Sequence, residues 1–448
     1  MNVHIRDRIE AKVPRYTSYP TSPHFHEGIG EAEVLAWISA LGPGDRVSLY
    51  LHIPYCDKLC WFCACHTKHT LRYEPVAKYL DALRAEIDLI AARLPAGVLV
   101  DAIHFGGGSP TLLTPRDFVD LVGMLRDAMP VHQSTTLSVE IDPSDMTEEK
   151  LDALAEAGLT RASLGVQDFD LRVQQVINRM QSFELTRSVV DGVRARGAAS
   201  VNLDLLYGLP LQTLDSVQRT VSQSLELRPD RIALFGYAHV PWFKKHQTMI
   251  DEAWLPGPND RLQQSLAAAE TIKAAGYVPI GIDHFALPGD GLAIAASEGR
   301  LRRNFQGYTD DACDTLIGLG PSSVSRFRRG YVQNIPATGD YEARVKAGHL
   351  ATARGAGLSD DDIAAGWVIE RLMCDFEFRT DELLERHGPP GQALVDKAVE
   401  ISADQTSGLL QEDGRFVIAE EYRSITRTVA ARFDAYLNLG AARHSAAV

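Results

Sequence analysis

Four of the six cysteines, Cys56, Cys60, Cys63 and Cys65, fall within the ten residues CDKLCWFCAC. Thiols packed this densely serve as a disulfide pair, as ligands of a structural zinc, or as ligands of an iron–sulfur cluster. Disulfides are rare in a reducing compartment, which leaves the two metal readings. Structural zinc sites join two ligand pairs from separate segments, and no distant pair exists: Cys313 and Cys374 stand alone and read as small core residues. Soft thiolates on one loop in the spacing C-x3-C-x2-C suit an iron–sulfur cluster, and three ligands would leave one iron of a 4Fe-4S cube open. Zinc remains the runner-up. A second feature is IHFGGGSPT (103–111), whose glycines let the backbone pass close to a ligand and offer N–H groups to a carboxylate. Alone, such a run is as often a tight turn, and no P-loop lysine follows it.

Composition sets the compartment. With 448 residues, 45% hydrophobic and 23% charged, the chain can build one large domain and a smaller one. Its first twenty residues scatter charges and prolines where a secretory signal needs an apolar run, and no apolar stretch of eighteen residues occurs. A cytoplasmic protein with no membrane span is expected. The formal charge of −14, without a long Lys/Arg run, argues against a nucleic-acid partner and for a small-molecule substrate.

The elements that must position these loops alternate between two periods. Strands are expected at 48–53, 101–106, 135–142, 161–166, 200–208, 231–239 and 277–285. An amphipathic helix carries Leu80, Leu83, Ile87, Ile90 and Leu94 at spacings of three and four, and helical patterns fill 115–129, 147–157, 184–196, 214–227 and 259–275. Repeated βα units predict a parallel sheet, either a complete or partial β/α barrel or an open doubly wound sheet. The polar residues favour the barrel: Leu137, Val139 and Ile141 oppose Ser138, Glu140 and Asp142, and Asn202 and Asp204 oppose Val201, Leu203 and Leu205. Tyr50, Glu140, Gln167, Asp204, His239 and Asp283 would then gather at the C-terminal strand ends, where barrel active sites are built. Residues 1–35 read as an N-terminal extension, 36–335 as the barrel, and 336–448 as a small, mostly helical C-terminal domain that includes a GLL–DG–FVI hairpin.

A C-x3-C-x2-C loop after the first strand and a glycine run after the second resemble the radical S-adenosylmethionine (radical SAM) enzymes. The motifs PRYTSYPT (14–21), LYLHIPYCDKLCWFCAC (49–65), HFGGGSPT (104–111), SVEIDP (138–143), SLGVQDF (163–169), NLDLLYGLP (202–210), GYAHVP (236–241), DHFA (283–286) and RNFQGYT (303–309) resemble those of the oxygen-independent coproporphyrinogen III oxidase family. The resemblance runs from about residue 14 to 330. Cys65 and PRYTSYPT set that family apart from its haem-chaperone branch, and Ser109 stands where the family often has Thr.

The resemblance implies that Cys56, Cys60 and Cys63 bind one 4Fe-4S cluster while Cys65 does not. Tyr50, Phe62, Gly107, Glu140 and Val324 would contact the S-adenosylmethionine on the cluster; Gly108, Ser109, Gln167, Arg179, Asp204 and Ala238 would contact a second one. The implied reaction converts two propionates of coproporphyrinogen III into vinyl groups, giving protoporphyrinogen IX in haem biosynthesis. A 5′-deoxyadenosyl radical takes a hydrogen from the propionate β-carbon, and loss of CO₂ and one electron leaves the vinyl. A reduced flavodoxin- or ferredoxin-type donor and a monomeric enzyme are expected. The alternative is a haem-carrying or haem-modifying relative without decarboxylase activity. A substrate with four carboxylates needs local positive charge on so acidic a chain, and Arg15, Lys68, Arg302 and Arg303 are the candidates. His52 and His239 are candidate proton carriers, with a satisfied buried histidine as the plainer reading. Residues 14–25, rich in Tyr and Pro, are expected either to close the barrel mouth or to pack over it as a passive strap.

Overall fold

The computed structural model describes Arg8 and residues 11–437. Its main sheet contains β1 (Arg46–Ile53), β2 (Leu99–Gly107), β3 (Val131–Ile141), β4 (Arg161–Gln167), β5 (Ser200–Tyr207), β6 (Arg231–Gly236), β7 (Val278–Ile280), β8 (His284–Ala286), β9 (Thr315–Leu319), β10 (Val324–Phe327), β11 (Gly330–Asn334) and β12 (Thr352–Gly357). Their spatial order is β12-β11-β10-β9-β1-β2-β3-β4-β5-β6-β8-β7. Strands β9 and β1 to β6 are parallel. Antiparallel strands extend both flanks. Among the described residues the end strands do not pair, so the sheet is a partial, open β/α barrel.

Side-chain chemistry sets the element limits. Helix Glu74–Ala91 opens on a proline in its first turn and buries Leu80, Leu83, Ile87 and Ile90; Leu94 packs on the same core beyond its end. Thr114, Thr147, Ser182 and Thr213 accept from backbone amides at the starts of Pro115–Ala128, Glu148–Glu156, Phe183–Ala195 and Leu214–Glu226. The fifth expected helix is Pro258–Ala274. Along β5, Val201, Leu203 and Leu205 are buried while Asn202 and Asp204 stay partly open, the alternation expected of a strand with one polar face. Glu86, 2% exposed, bolts the first helix to the far side of the sheet: Gly320 N (2.6 Å), the Tyr341 hydroxyl (2.7 Å) and Asn334 Nδ2 (2.7 Å) donate to it.

Three expectations need correction. The segment 277–285 is not a parallel strand: Gly281 turns with φ +56°, splitting it into the antiparallel pair β7 and β8. The seventh parallel strand is β9, which lies on the opposite side, beside β1. The boundary at 35/36 cuts helix Glu31–Ser39, whose Val34 and Ile38 enter the main core, and the sheet runs past 335 to β12. A separate core begins with helix Asp360–Asp375 and includes Thr380–Ala403, kinked at Gly388, and a three-stranded antiparallel sheet. Its expected hairpin is Leu409–Glu412 with Arg415–Ile418, turned by Asp413 and Gly414 at φ +43° and +77°.

The strap before the barrel belongs to both bodies. Val13, Tyr16 and Tyr19 enter the C-terminal core, the Tyr16 hydroxyl donates to Asp434 at 3.0 Å, and Ala435 N donates to the Tyr19 hydroxyl at 3.0 Å. Farther along, His26 pairs with Gly355 on β12.

Candidate active site

Where the parallel strands end, two adjoining cavities of about 170 and 370 Å³ share Cys65, Gly107 and Glu140 as their common wall. The smaller is ringed by Cys56, Cys60 and Cys63. Their loop is held through its carbonyls: Asn178 Nδ2 donates to Leu59 O (2.8 Å), Gln247 Nε2 to Phe62 O (2.9 Å), His246 Nε2 to Cys63 O (2.7 Å) and Lys244 Nζ to Cys65 O (2.9 Å). Cross-braces from the segments after β4 and β6 therefore fix where the thiols point. Among the described residues no three His, Cys, Asp or Glu side chains converge as a single tetrahedral ion requires. Soft thiols spread around a cavity fit a multi-iron guest instead.

Electrostatics differ from thiol to thiol. Burial pushes Cys56 up to about 12, against a hydrogen bond from Thr67, and it raises Cys60, where the Arg179 guanidinium opposes it. Cys63 is pulled below the ordinary thiol range by the Cys65 side chain and amide. Arg179 donates to Asp142 (2.9 Å), to Gly165 O (2.7 Å) and towards Cys60 Sγ (3.6 Å), placing one cation at the back of the loop.

The glycine run works by absence of side chains. A Cβ at Gly107, whose φ is +111°, would stand 2.6 Å from the His52 ring; one at Gly108 would meet Tyr55 O at 2.5 Å; one at Gly106 would meet Glu140 Oε1 at 2.7 Å. Glu140 accepts from Gly107 N (3.1 Å) and His104 Nε2 (3.3 Å); burial would raise its carboxyl, but these partners pull it below the ordinary range. Asp204, bonded to Asn202 (2.7 Å), is pushed up to about 6 by burial and then by the Glu140 charge. His52 is 5% exposed; its Nε2 faces the His66 carbonyl at 2.8 Å and so carries the hydrogen, leaving Nδ1 to accept from the Tyr50 hydroxyl at 3.0 Å. Burial lowers it to about 4, so it is the neutral, satisfied histidine that orients Tyr50.

The model of the Radical SAM superfamily matches residues 50–223. Over 440 residues the chain is 49% identical to the oxygen-independent coproporphyrinogen III oxidase of Paracoccus denitrificans, covering 98% of this chain and 97% of that protein. It is 46% identical over 440 residues to that of Bradyrhizobium diazoefficiens, covering 98% of each. The solved structure of Escherichia coli coproporphyrinogen III oxidase (HemN), described as a radical SAM enzyme, matches with a TM-score of 0.90 at 35% identity, covering 95% of this chain and 100% of that one. The chain belongs to the oxygen-independent coproporphyrinogen III oxidase family. Membership of the radical SAM superfamily implies a 4Fe-4S cluster and S-adenosylmethionine, and the loop thiols and the glycine-lined wall fit both.

Within this family member, the expected site residues divide. Tyr50, Gly107, Glu140 and Val324 line the larger cavity; Phe62, Gly108, Gln167, Arg179 and Asp204 line the smaller. Ser109 lines neither, because its hydroxyl is committed to Asp145 at 2.8 Å, and Ala238 contributes its carbonyl to Gln247 at 3.2 Å. His239 stands apart between Tyr237 (2.8 Å) and Glu252 (3.1 Å). Lys68 is exposed, and its amide donates to Pro54 O. Arg302 pairs with Glu370 (3.3 Å) and Asp314 (3.4 Å) in a third cavity, of about 640 Å³, against the C-terminal core, which Arg303 also lines and which shares Thr17, Arg326 and Tyr331 with the 370 Å³ cavity. Arg303 instead donates to Arg15 O and lies 4.0 Å from Asp283. The sequence singled out no individual role for His104, Asn304, Phe305 or Gln306; the first holds Glu140, and the others line the larger cavity together with Thr17 of the expected strap.

No helix among the described residues is long and apolar enough to cross a membrane.

Proposed function

We propose that this chain catalyses the oxygen-independent oxidative decarboxylation of two propionates of coproporphyrinogen III to vinyl groups, giving protoporphyrinogen IX. The observation that carries this reading is the shared wall of the two cavities. Three thiols of one loop face one side, and Tyr50, Val324 and Thr17 face the other, with Glu140 and Gly107 between them. When bound, the cluster and S-adenosylmethionine would supply the radical that removes a hydrogen from the β-carbon of each of the two reacting propionates, and the electron left as CO₂ departs would pass to a one-electron acceptor.

In this reading Cys56, Cys60 and Cys63 are the only protein ligands of the cluster. Glu140 and the Gly107 backbone receive the S-adenosylmethionine bound there, and Gln167, Arg179 and Asp204 supply polar contacts for a second one. Tyr50, held by neutral His52, closes the cavity wall. The strap 14–25 excludes water, since Thr17 and Ser22 line the larger cavity. The electron comes from a reduced flavodoxin- or ferredoxin-type protein, and the enzyme works in the cytoplasm as a monomer.

The deciding experiment is anaerobic. Reconstituted, reduced protein receives S-adenosylmethionine and coproporphyrinogen III, and 5′-deoxyadenosine is quantified against protoporphyrinogen. Two deoxyadenosines per vinylated product are expected; deoxyadenosine without vinyl product moves the substrate elsewhere, and neither product from an intact, reduced cluster favours a haem carrier. In a variant lacking residues 1–25, deoxyadenosine should form uncoupled from product; unchanged decarboxylation would remove the strap from the mechanism.

A further inference from the structure

We propose that Arg261, with Arg15 and Arg303, forms a carboxylate-binding nest that holds the two propionates the reaction leaves intact; this rests on the decarboxylase reading. The three guanidiniums come from different parts of the chain. Arg15 is on the strap, Arg261 is in the first turn of helix Pro258–Ala274, and Arg303 lies in the short strand Arg302–Asn304. They meet beyond the end of β6, where Arg15 Nη2 donates to Gly236 O at 3.1 Å and Arg261 Nη2 to Tyr237 O at 2.8 Å. Arg303 reaches the Arg15 carbonyl at 3.3 Å. A Cβ at Gly236 would meet both the Tyr207 hydroxyl (2.9 Å) and Arg261 Nη2 (3.2 Å), so backbone, phenol and guanidinium are in close contact there.

The nest has donors to spare. Among the described residues Arg261 Nε and Arg303 Nη1 are buried with no hydrogen-bond partner, and Arg303 is 7% exposed. Among the described residues Asp283 is the carboxylate that faces both Arg15 and Arg303, one negative charge to two guanidiniums. Burial lowers the pKa of both Arg15 and Arg261, and neighbouring guanidiniums lower them further: Arg303 acts on Arg15, and Arg15 on Arg261. An excess of covered cations with unused N–H groups is costly alone and is relieved by bound carboxylates. Arg15 itself is exposed, so a ligand can reach it.

Position identifies which carboxylates. Arg303 lines the 640 Å³ cavity, which shares Thr17, Arg326 and Tyr331 with the 370 Å³ cavity, so the nest is linked to the latter through the strap. Gly236 on β6 lies three strands from Glu140 on β3, roughly 14 Å along the sheet. The reacting propionates must lie at the Glu140 and cysteine end; a flat tetrapyrrole reaching from there presents its far carboxylates to the nest. Arginine forks suit that task through paired, charge-assisted hydrogen bonds.

The test is a cycle between residue and substrate, run on reconstituted, full-length enzyme. Wild type and Arg261→Gln are compared on coproporphyrinogen III and on the analogue whose two retained propionates are methyl esters. With the natural substrate, KM should rise about 10- to 100-fold in the variant, with iron content and melting temperature unchanged; with the ester the two proteins should differ little. Equal loss on both substrates would overturn the nest and make Arg261 structural, and an unchanged KM would overturn it outright. If Arg261→Gln fails to fold, Arg15→Gln on the strap reads the same coupling. A wild type that yields no vinyl product defeats the decarboxylase reading itself, an outcome distinct from a productive wild type with no coupling.

Discussion

The Gly107 amide donates to Glu140 Oε2 at 3.1 Å, tying the end of β2 to β3 at the wall where the two cavities meet. One carboxylate thus holds a loop and presents charge to both sides of a partition. Glu140→Gln keeps an oxygen for the amide and loses the charge. Affinity for S-adenosylmethionine, read by equilibrium dialysis on reconstituted protein, should fall about tenfold, the gap between charged and neutral hydrogen bonds. Unchanged affinity would place the ligand's polar groups elsewhere.

The four clustered cysteines should separate by iron content. Cys56→Ser, Cys60→Ser and Cys63→Ser should each lose most cluster iron and the broad visible absorbance. Cys65→Ser should retain both, because Cys65 faces the cavity wall shared with Glu140 and lies outside the C-x3-C-x2-C set. Loss of iron from Cys65→Ser would make it a fourth ligand.

Arg179 and Asp142, 2.9 Å apart with side chains 12% and 20% exposed, form the ion pair behind the loop. Arg179→Met should cost about 2 kcal/mol or more in urea unfolding of the iron-free protein, because Asp142 is left uncompensated. Adding Asp142→Asn should recover most of that loss. Additive losses in the double variant would show the two side chains acting independently.

Glu86 predicts a pH effect far from the chemistry. Burial raises its carboxyl from 4.5 to about 7. The folded state therefore holds that proton to higher pH than the unfolded chain does. Its stabilising share is complete below about pH 4.5 and is lost as pH rises through about 7. Wild-type unfolding free energy minus that of Glu86→Gln should fall across this window by on the order of 3 kcal/mol. A flat difference would mean that the three donors around Glu86 keep it ionised throughout.

Much of this site was legible because strand alternation and loop spacing are local. Glu140, Gln167 and Asp204 could be placed on one polar face by counting in twos, and the thiols by their spacing. What escaped depends on partners distant in sequence. Strand β9, TLIGL, is too short to stand out, and its place beside β1 follows from pairing with residues 260 and more positions earlier. Arg302 and Arg303 look equivalent as neighbours, yet a strand turns successive side chains to opposite faces, and only Arg303 joins Arg15. His239 reads like another strand-end polar group, but β6 ends at Gly236 and leaves it in a loop with Glu252. Arg261 gave no signal, since an arginine in a helix's first turn is ordinary until the fold sets Gly236 against it.

The strap's anchors impose a timetable. Tyr16 and Asp434, joined by a hydrogen bond, are 418 positions apart, and a ribosome adding about 5–20 residues per second needs roughly 20–80 s to pass from one to the other. During that interval the barrel strands and cysteine loop can already be folded, with the strap holding its barrel contact from Arg15 to Gly236 but lacking its hold on the C-terminal core. The enzyme's first-made segment thus completes its anchoring last. Chains released before residue 434 would carry an assembled cysteine loop and a strap without its Tyr16–Asp434 tie.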